Sequence, residues 1–84
     1  SAKKPAPAAK VKLSYKEQRE LEALPAQIEA LESEQKSIEA QLADGSVFVE
    51  DPDLGVQLST RLGEIEEELL AALERWETLD SRWA

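Results

Sequence analysis

From Leu21 onward the apolar side chains return at alternating intervals of three and four: Leu21, Leu24, Ile28, Leu31, Ile38 and Leu42, with Gln35 filling the one gap. These are the a and d positions of a heptad, and they predict a helix with one narrow apolar stripe. A single helix in water leaves such a stripe exposed, so the pattern calls for a partner helix. A second stripe supplies it, running Leu58, Leu62, Ile65, Leu69, Ala72, Trp76, Leu79 and Trp83 with intervals of four and three. Between the two stripes stand Asp44-Gly45 and Val47-Phe48-Val49, read as a turn and a small apolar loop.

Local signals bound both elements. Ser14 and Glu17 have the spacing of a capping box, and Gly45 is the residue that most easily takes the left-handed conformation after a helix end, so the first helix is predicted over 14–43. Asp51-Pro52-Asp53 reads as an N-cap, a proline at the first helical position and an acid on the helix dipole, so the second helix is predicted over 52–83 after a loop at 44–51. A loop that short forces the helices antiparallel. Layers in an antiparallel pair keep a constant sum of residue numbers, and pairing 42 with 54, 38 with 58, 35 with 62, 31 with 65, 28 with 69, 24 with 72, 21 with 76, 17 with 79 and 14 with 83 holds it at 96 or 97. That register brings Glu20 near Arg75 and Glu34 near Arg61. Pro25 interrupts the consistency, since it removes the hydrogen bond to the Leu21 carbonyl and its ring crowds that turn. A kink, a bulge or a brief change of helix type is expected at residues 21–25, as a tolerated distortion or as a hinge, with Ala72 opposite it and Leu73 beside the ring.

The fold class is therefore all-α, a two-helix antiparallel coiled-coil hairpin at 14–84, preceded by a flexible basic linker at 1–13. At 84 residues the chain supports one small folding unit, expected to be monomeric in isolation. Its beginning, Ser-Ala-Lys-Lys without Met, marks it as an expected piece of a longer protein. No apolar run approaches the length of a membrane span, and no signal-peptide core is seen; together with the absence of Cys this gives a cytoplasmic expectation, without a membrane partner.

Charge divides the chain. Residues 1–19 hold Lys3, Lys4, Lys10, Lys12, Lys16 and Arg19 against Glu17 alone, a balance of +5, so the total of −8 leaves −13 on the remainder. With Cys, Met and His all absent, thiolate and imidazole metal sites and Cys- or His-based nucleophiles are excluded. The carboxylates of Glu66-Glu67-Glu68 and of Asp51 and Asp53 read as a solvated face with no pocket to shift a pKa, and Asp51-Pro52-Asp53 lacks the Gly and closing Glu of a calcium loop. Gly45, Gly55 and Gly63 have no phosphate-binding spacing. No catalytic residue, metal or cofactor is expected in this chain.

The hairpin topology gathers the basic residues. Lys16 and Arg19 at its start come beside Arg75 and Arg82 at its finish, with Lys10 and Lys12 entering at the same end, so a cationic base and an acidic tip are expected. Tyr15, Trp76 and Trp83 share that base, although both tryptophans also fill seam positions. Cations mixed with aromatics suit sequence-independent contact with nucleic acid: Lys10, Lys12, Lys16, Arg19, Arg75 and Arg82 on phosphates, Tyr15 or Trp83 stacking on bases.

The segments KLSYKEQRELEALPAQIEALE at 12–32 and ERWETLDSRW at 74–83 resemble the C-terminal domain of Uup-type ABC-F proteins, tandem-cassette ATPases of the ABC superfamily without membrane spans. Leu24-Pro25 corresponds to the proline within that family's first helix, and Arg75-Trp76-Glu77 to its R-W-E signature. The resemblance implies an antiparallel coiled-coil appendage that follows two ATP-binding cassettes and contributes to DNA binding. ATP and magnesium would belong to those upstream cassettes, so the fragment itself would be no enzyme. A body at −13 repels a duplex laid lengthwise, which directs DNA contact to the arm and base. The alternative partner for such an arm is protein or ribosome: its own cassettes, an acidic surface or ribosomal RNA.

Overall fold

The computed structural model describes residues 13–82, which form three helices: α1 at Tyr15–Leu42, α2 at Ser46–Glu50 and α3 at Pro52–Arg82. Helix α1 begins where Ser14 caps it. The Ser14 hydroxyl accepts from the Glu17 amide at 3.1 Å, and the Glu17 carboxylate accepts from the Ser14 amide at 3.0 Å. Gly45, at φ 75°, makes the left-handed turn that ends this arm, while the Asp44 carboxylate accepts from the Ser46 amide at 3.0 Å. Helix α3 starts as the sequence indicates, with Pro52 first and the Asp51 carboxylate accepting from the Leu54 amide at 3.2 Å.

Helices α1 and α3 lie antiparallel, as the ion pairs Glu34–Arg61, Glu20–Arg75 and Glu17–Arg82 require. At 28 and 31 residues, they run about 42 and 46 Å at 1.5 Å per residue. The seam is the predicted one. Leu24, Ile38, Ile65 and Leu79 are buried, and the remaining described members of both stripes are at least half-covered. Ile65 and Leu79 are fully enclosed.

Four particulars depart from expectation. The segment Val47-Phe48-Val49 is not loop but part of α2, whose Phe48 ring lies over Gly55 so closely that a Cβ there would stand 2.6 Å from Phe48 Cδ1. Gly55 is buried as a result, and Leu54, expected to close the last layer with Leu42, is partly exposed. Leu13 belongs to the folded part and not to the linker: it is 4% exposed and packs with Leu24 and Leu79, extending the seam beyond the first helical turn. The rest of the predicted linker, 1–12, and the final stripe member Trp83 lie outside the described residues.

The fourth departure is Pro25. Of the three distortions expected at 21–25, a bulge and a change of helix type do not occur, since α1 is α-helical from end to end. Pro25 withholds one backbone donor, while the seam residues Leu21 and Leu24 on the preceding turn are held by Ala72, Trp76 and Leu79 across the interface. The ring itself stays exposed, beside Leu73 as expected, at the edge of a groove of about 420 Å³ that Ile28, Glu29, Glu32 and Trp76 also line. Among the described residues no helix is long and apolar enough to cross a membrane.

Candidate nucleic-acid interface

The expected interface residues separate into two groups. Tyr15, Lys16 and Arg19 are exposed at the start of α1. Tyr15 is 73% accessible, and Arg19, one turn on, places its guanidinium 5.7 Å from the ring centroid while Nη1 donates to the Tyr15 hydroxyl at 3.0 Å. A cation so held on an aromatic face keeps most of its donors free. Neither Lys16 nor Arg19 forms an ion pair within 4.0 Å among the described residues.

Arg75 and Arg82 are differently placed. Arg75 donates through Nε and Nη2 to the two oxygens of Glu20, at 2.6 and 3.0 Å. Arg82 donates to Glu17 at 2.8 and 3.3 Å, and Glu17 also lies 4.0 Å from Arg75, bridging the arginines one turn on either side of Leu79. The Glu17 carboxyl is held below its ordinary value, first by the Ser14 amide and then by Arg82; that of Glu20 is lowered chiefly by Arg75. Arg75 is in turn held more firmly protonated by Glu20. The antiparallel register thus spends both arginines on carboxylates of α1. Residues 13–22 and 74–82 carry four cations against six acids, so the described part of the expected base is not cationic as a whole; Lys10 and Lys12, which that expectation also counted, fall outside it. Its positive, aromatic part is the Tyr15, Lys16 and Arg19 corner.

Of the other expected contacts, Lys10, Lys12 and Trp83 lie outside the described residues. Trp76 is a seam residue, packed against the cluster of Leu13, Leu24 and Leu79. The Tyr15–Arg19 pairing escaped the reading of the sequence, although its signal, an aromatic and an arginine four apart on one helix, is local. Among the described residues no group of three or more acidic side chains could hold a metal ion. Glu64 and Glu68 converge on Arg61, which also takes both oxygens of Glu34 at 2.8 and 2.9 Å.

Residues 12–81 match the ABC transporter C-terminal domain family. The chain belongs to that family. Relatives of this ABC transporter C-terminal domain include the ATP-binding protein Uup-like and the ATP-binding protein Uup of Haemophilus influenzae, each 43% identical over 72 residues. The ATP-binding protein Uup of Escherichia coli is 41% identical over 70. These alignments take in 83–86% of this chain but 11–16% of the relatives, so it spans only a small part of their length. The resemblance to Uup-type proteins that the capping segment and the R-W-E segment carry is therefore shown across most of the domain. No solved structure matches it.

Proposed function

We propose that this domain is the non-catalytic, coiled-coil appendage of a cytoplasmic ATP-binding protein of the ABC-F type, and that it holds nucleic acid without sequence preference at the α1 end of the hairpin. The observation that carries the proposal is the exposed Tyr15–Arg19 pair with Lys16 beside it, contiguous in sequence with Lys10 and Lys12. These four cations meet phosphates, and the tyrosine face turned away from Arg19 receives a base or sugar. Arg75 and Arg82, already satisfied by carboxylates, position α3 and do not bind. ATP and magnesium are handled by cassettes elsewhere in the parent protein; the relatives' names, which call them ATP-binding proteins, support the ATP part of that reading.

Labelled duplex DNA titrated with this chain at 50 and 200 mM salt tests the reading. Four phosphate contacts predict a loss of about 10²-fold in affinity over that range. Changing Lys10, Lys12, Lys16 and Arg19 to Gln removes binding, whereas changing Arg75 and Arg82 to Gln leaves the salt slope near its original value. Absence of binding at 50 mM salt, or equal binding by the fourfold variant, refutes it. The alternative, an arm docked on its own cassettes or on the ribosome, is favoured by the −13 balance beyond residue 19, which suits a basic surface better than a phosphate backbone. Under that reading, DNA binding is absent and the domain associates with the cassettes or ribosomes.

A further inference from the structure

The flank opposite the arginine ladder carries a surface that the nucleic-acid reading leaves unused. At Pro25 the two long helices leave a groove of about 420 Å³, walled by Pro25 and Ile28 from α1 and by Leu73 and Trp76 from α3. Leu73 is 48% exposed, and Leu70, one turn along α3, is 60% exposed. The charged residues of the groove wall are Glu29 and Glu32, both acidic and neither in an ion pair within 4.0 Å among the described residues. Toward the base a second hollow of about 290 Å³ continues the acidic character with Glu22 and Asp80 beside Gln18 and Leu21. Pro25, in the wall of the larger hollow, has no N–H to offer the carbonyl of Leu21, which lines the smaller one.

We propose that this flank is a docking groove for a basic peptide segment that carries a large apolar side chain. The apolar side chain lies between Pro25, Ile28, Leu73 and Trp76, and flanking Lys or Arg residues meet Glu29 and Glu32, with Glu22 and Asp80 available one groove further. The charge of the flank selects the occupant, because nucleic acid and anionic lipid are repelled from it and a cationic peptide is attracted. Apolar walls with two carboxylates outside any ion pair among the described residues give such a segment an anchor and a charge preference at once.

The test uses this chain with Trp83→Phe, so that Trp76 is its one tryptophan, and the synthetic peptide acetyl-Lys-Lys-Leu-Lys-Phe-Lys-Lys-amide at 50 mM salt. Saturable change in Trp76 emission is expected, with at least about fivefold weaker binding when the Leu and Phe of the peptide become Ser or when Glu29→Gln and Glu32→Gln are combined. Glu67→Gln with Glu74→Gln, an equal charge change on the outer side of α3, leaves affinity within about twofold. No change in emission up to 1 mM peptide overturns the proposal, and so does equal weakening by both pairs of substitutions, which indicates diffuse attraction alone. A chain dimer in sedimentation that Leu73→Ser abolishes also overturns it, since the groove is then occupied by a second copy. The DNA titration depends on different residues, so its failure leaves this result intact.

Discussion

The two flanks of the hairpin border the same apolar seam and are built in opposite ways. On one, Glu20, Gln27, Glu34 and Gln41 of α1 stand two, four and six turns apart in a single heptad column, and Arg75, Glu68, Arg61 and Leu54 of α3 face them with residue numbers that always sum to 95. Ion pairs close that side at Glu20–Arg75 and Glu34–Arg61, with Glu17–Arg82 beyond them at the base. On the other, the corresponding sum is 98: Pro25 faces Leu73, Glu32 faces Glu66 and Gln18 faces Asp80, so nothing pairs and grooves open. The difference teaches that the seam holds the helices together while the flanks decide register and contact. Opposite charges at fixed intervals penalise a slipped pairing; apolar and like-charged positions leave a side available to something else.

The largest effect is expected at the seam the flanks share. Leu79→Ala, at a fully enclosed position packed on Leu13 and Leu24, should lower unfolding free energy by about 2–5 kcal/mol. Leu73→Ala on the open flank should cost under about 1 kcal/mol, because its side chain is half in water already. Urea titrations followed by helical circular dichroism compare them, and similar losses would mean that the open flank is part of the core. Next comes Pro25→Ala, which returns a donor to the Leu21 carbonyl and removes the ring from the groove wall. It should stabilise the hairpin by about 1–3 kcal/mol and at the same time weaken peptide docking. Loss of stability instead would show that the proline is held without strain and that its ring contributes to packing.

The ionic flank is tested by pH. Glu17 and Glu20 have carboxyls held below 4.5, so their contribution is fully present above that value and is lost as pH falls through the lowered folded value. The double variant Glu17→Gln with Glu20→Gln should melt below the unsubstituted chain at pH 7, with the gap closing as pH falls below 4.5. Glu34, lowered by Arg61, behaves likewise. A gap that persists unchanged down to the acid end of the titration would assign the effect to lost packing or capping. The smallest effect is a gain: Gln27→Lys supplies the missing cation opposite Glu68 and should raise the melting temperature by about 1–2 °C. Glu29→Lys, across the helix on the open flank, completes no such column and should not reproduce it.

Much of this molecule is written in its spacing. The two stripes, the Ser14 and Asp51 caps, the turn at Gly45 and the pairs Glu20–Arg75 and Glu34–Arg61 all follow from local chemistry or from one constant sum, because an antiparallel pair with one short connection has a single register that buries both stripes. The candidate interface was less legible. Basic residues can be counted along a chain, but whether an arginine is free depends on which carboxylate its register delivers, and Arg75 and Arg82 were delivered to Glu20 and Glu17.

What the sequence determined by itself is the pair of apolar periods, their antiparallel order and the division between a basic start and an acidic body. What only the tertiary structure decided lies where side chains choose among neighbours of similar suitability. Leu13 entered the seam because Leu24 and Leu79 leave it an apolar site. Val47-Phe48-Val49 wound into α2 as Phe48 came to rest over Gly55, a contact available only once α3 is in place. Pro25 stayed inside an unbroken helix because seam contacts on its preceding turn outweigh one missing hydrogen bond. Periodicity fixes which residues face inward; contact between elements fixes which polar and aromatic groups remain free to bind.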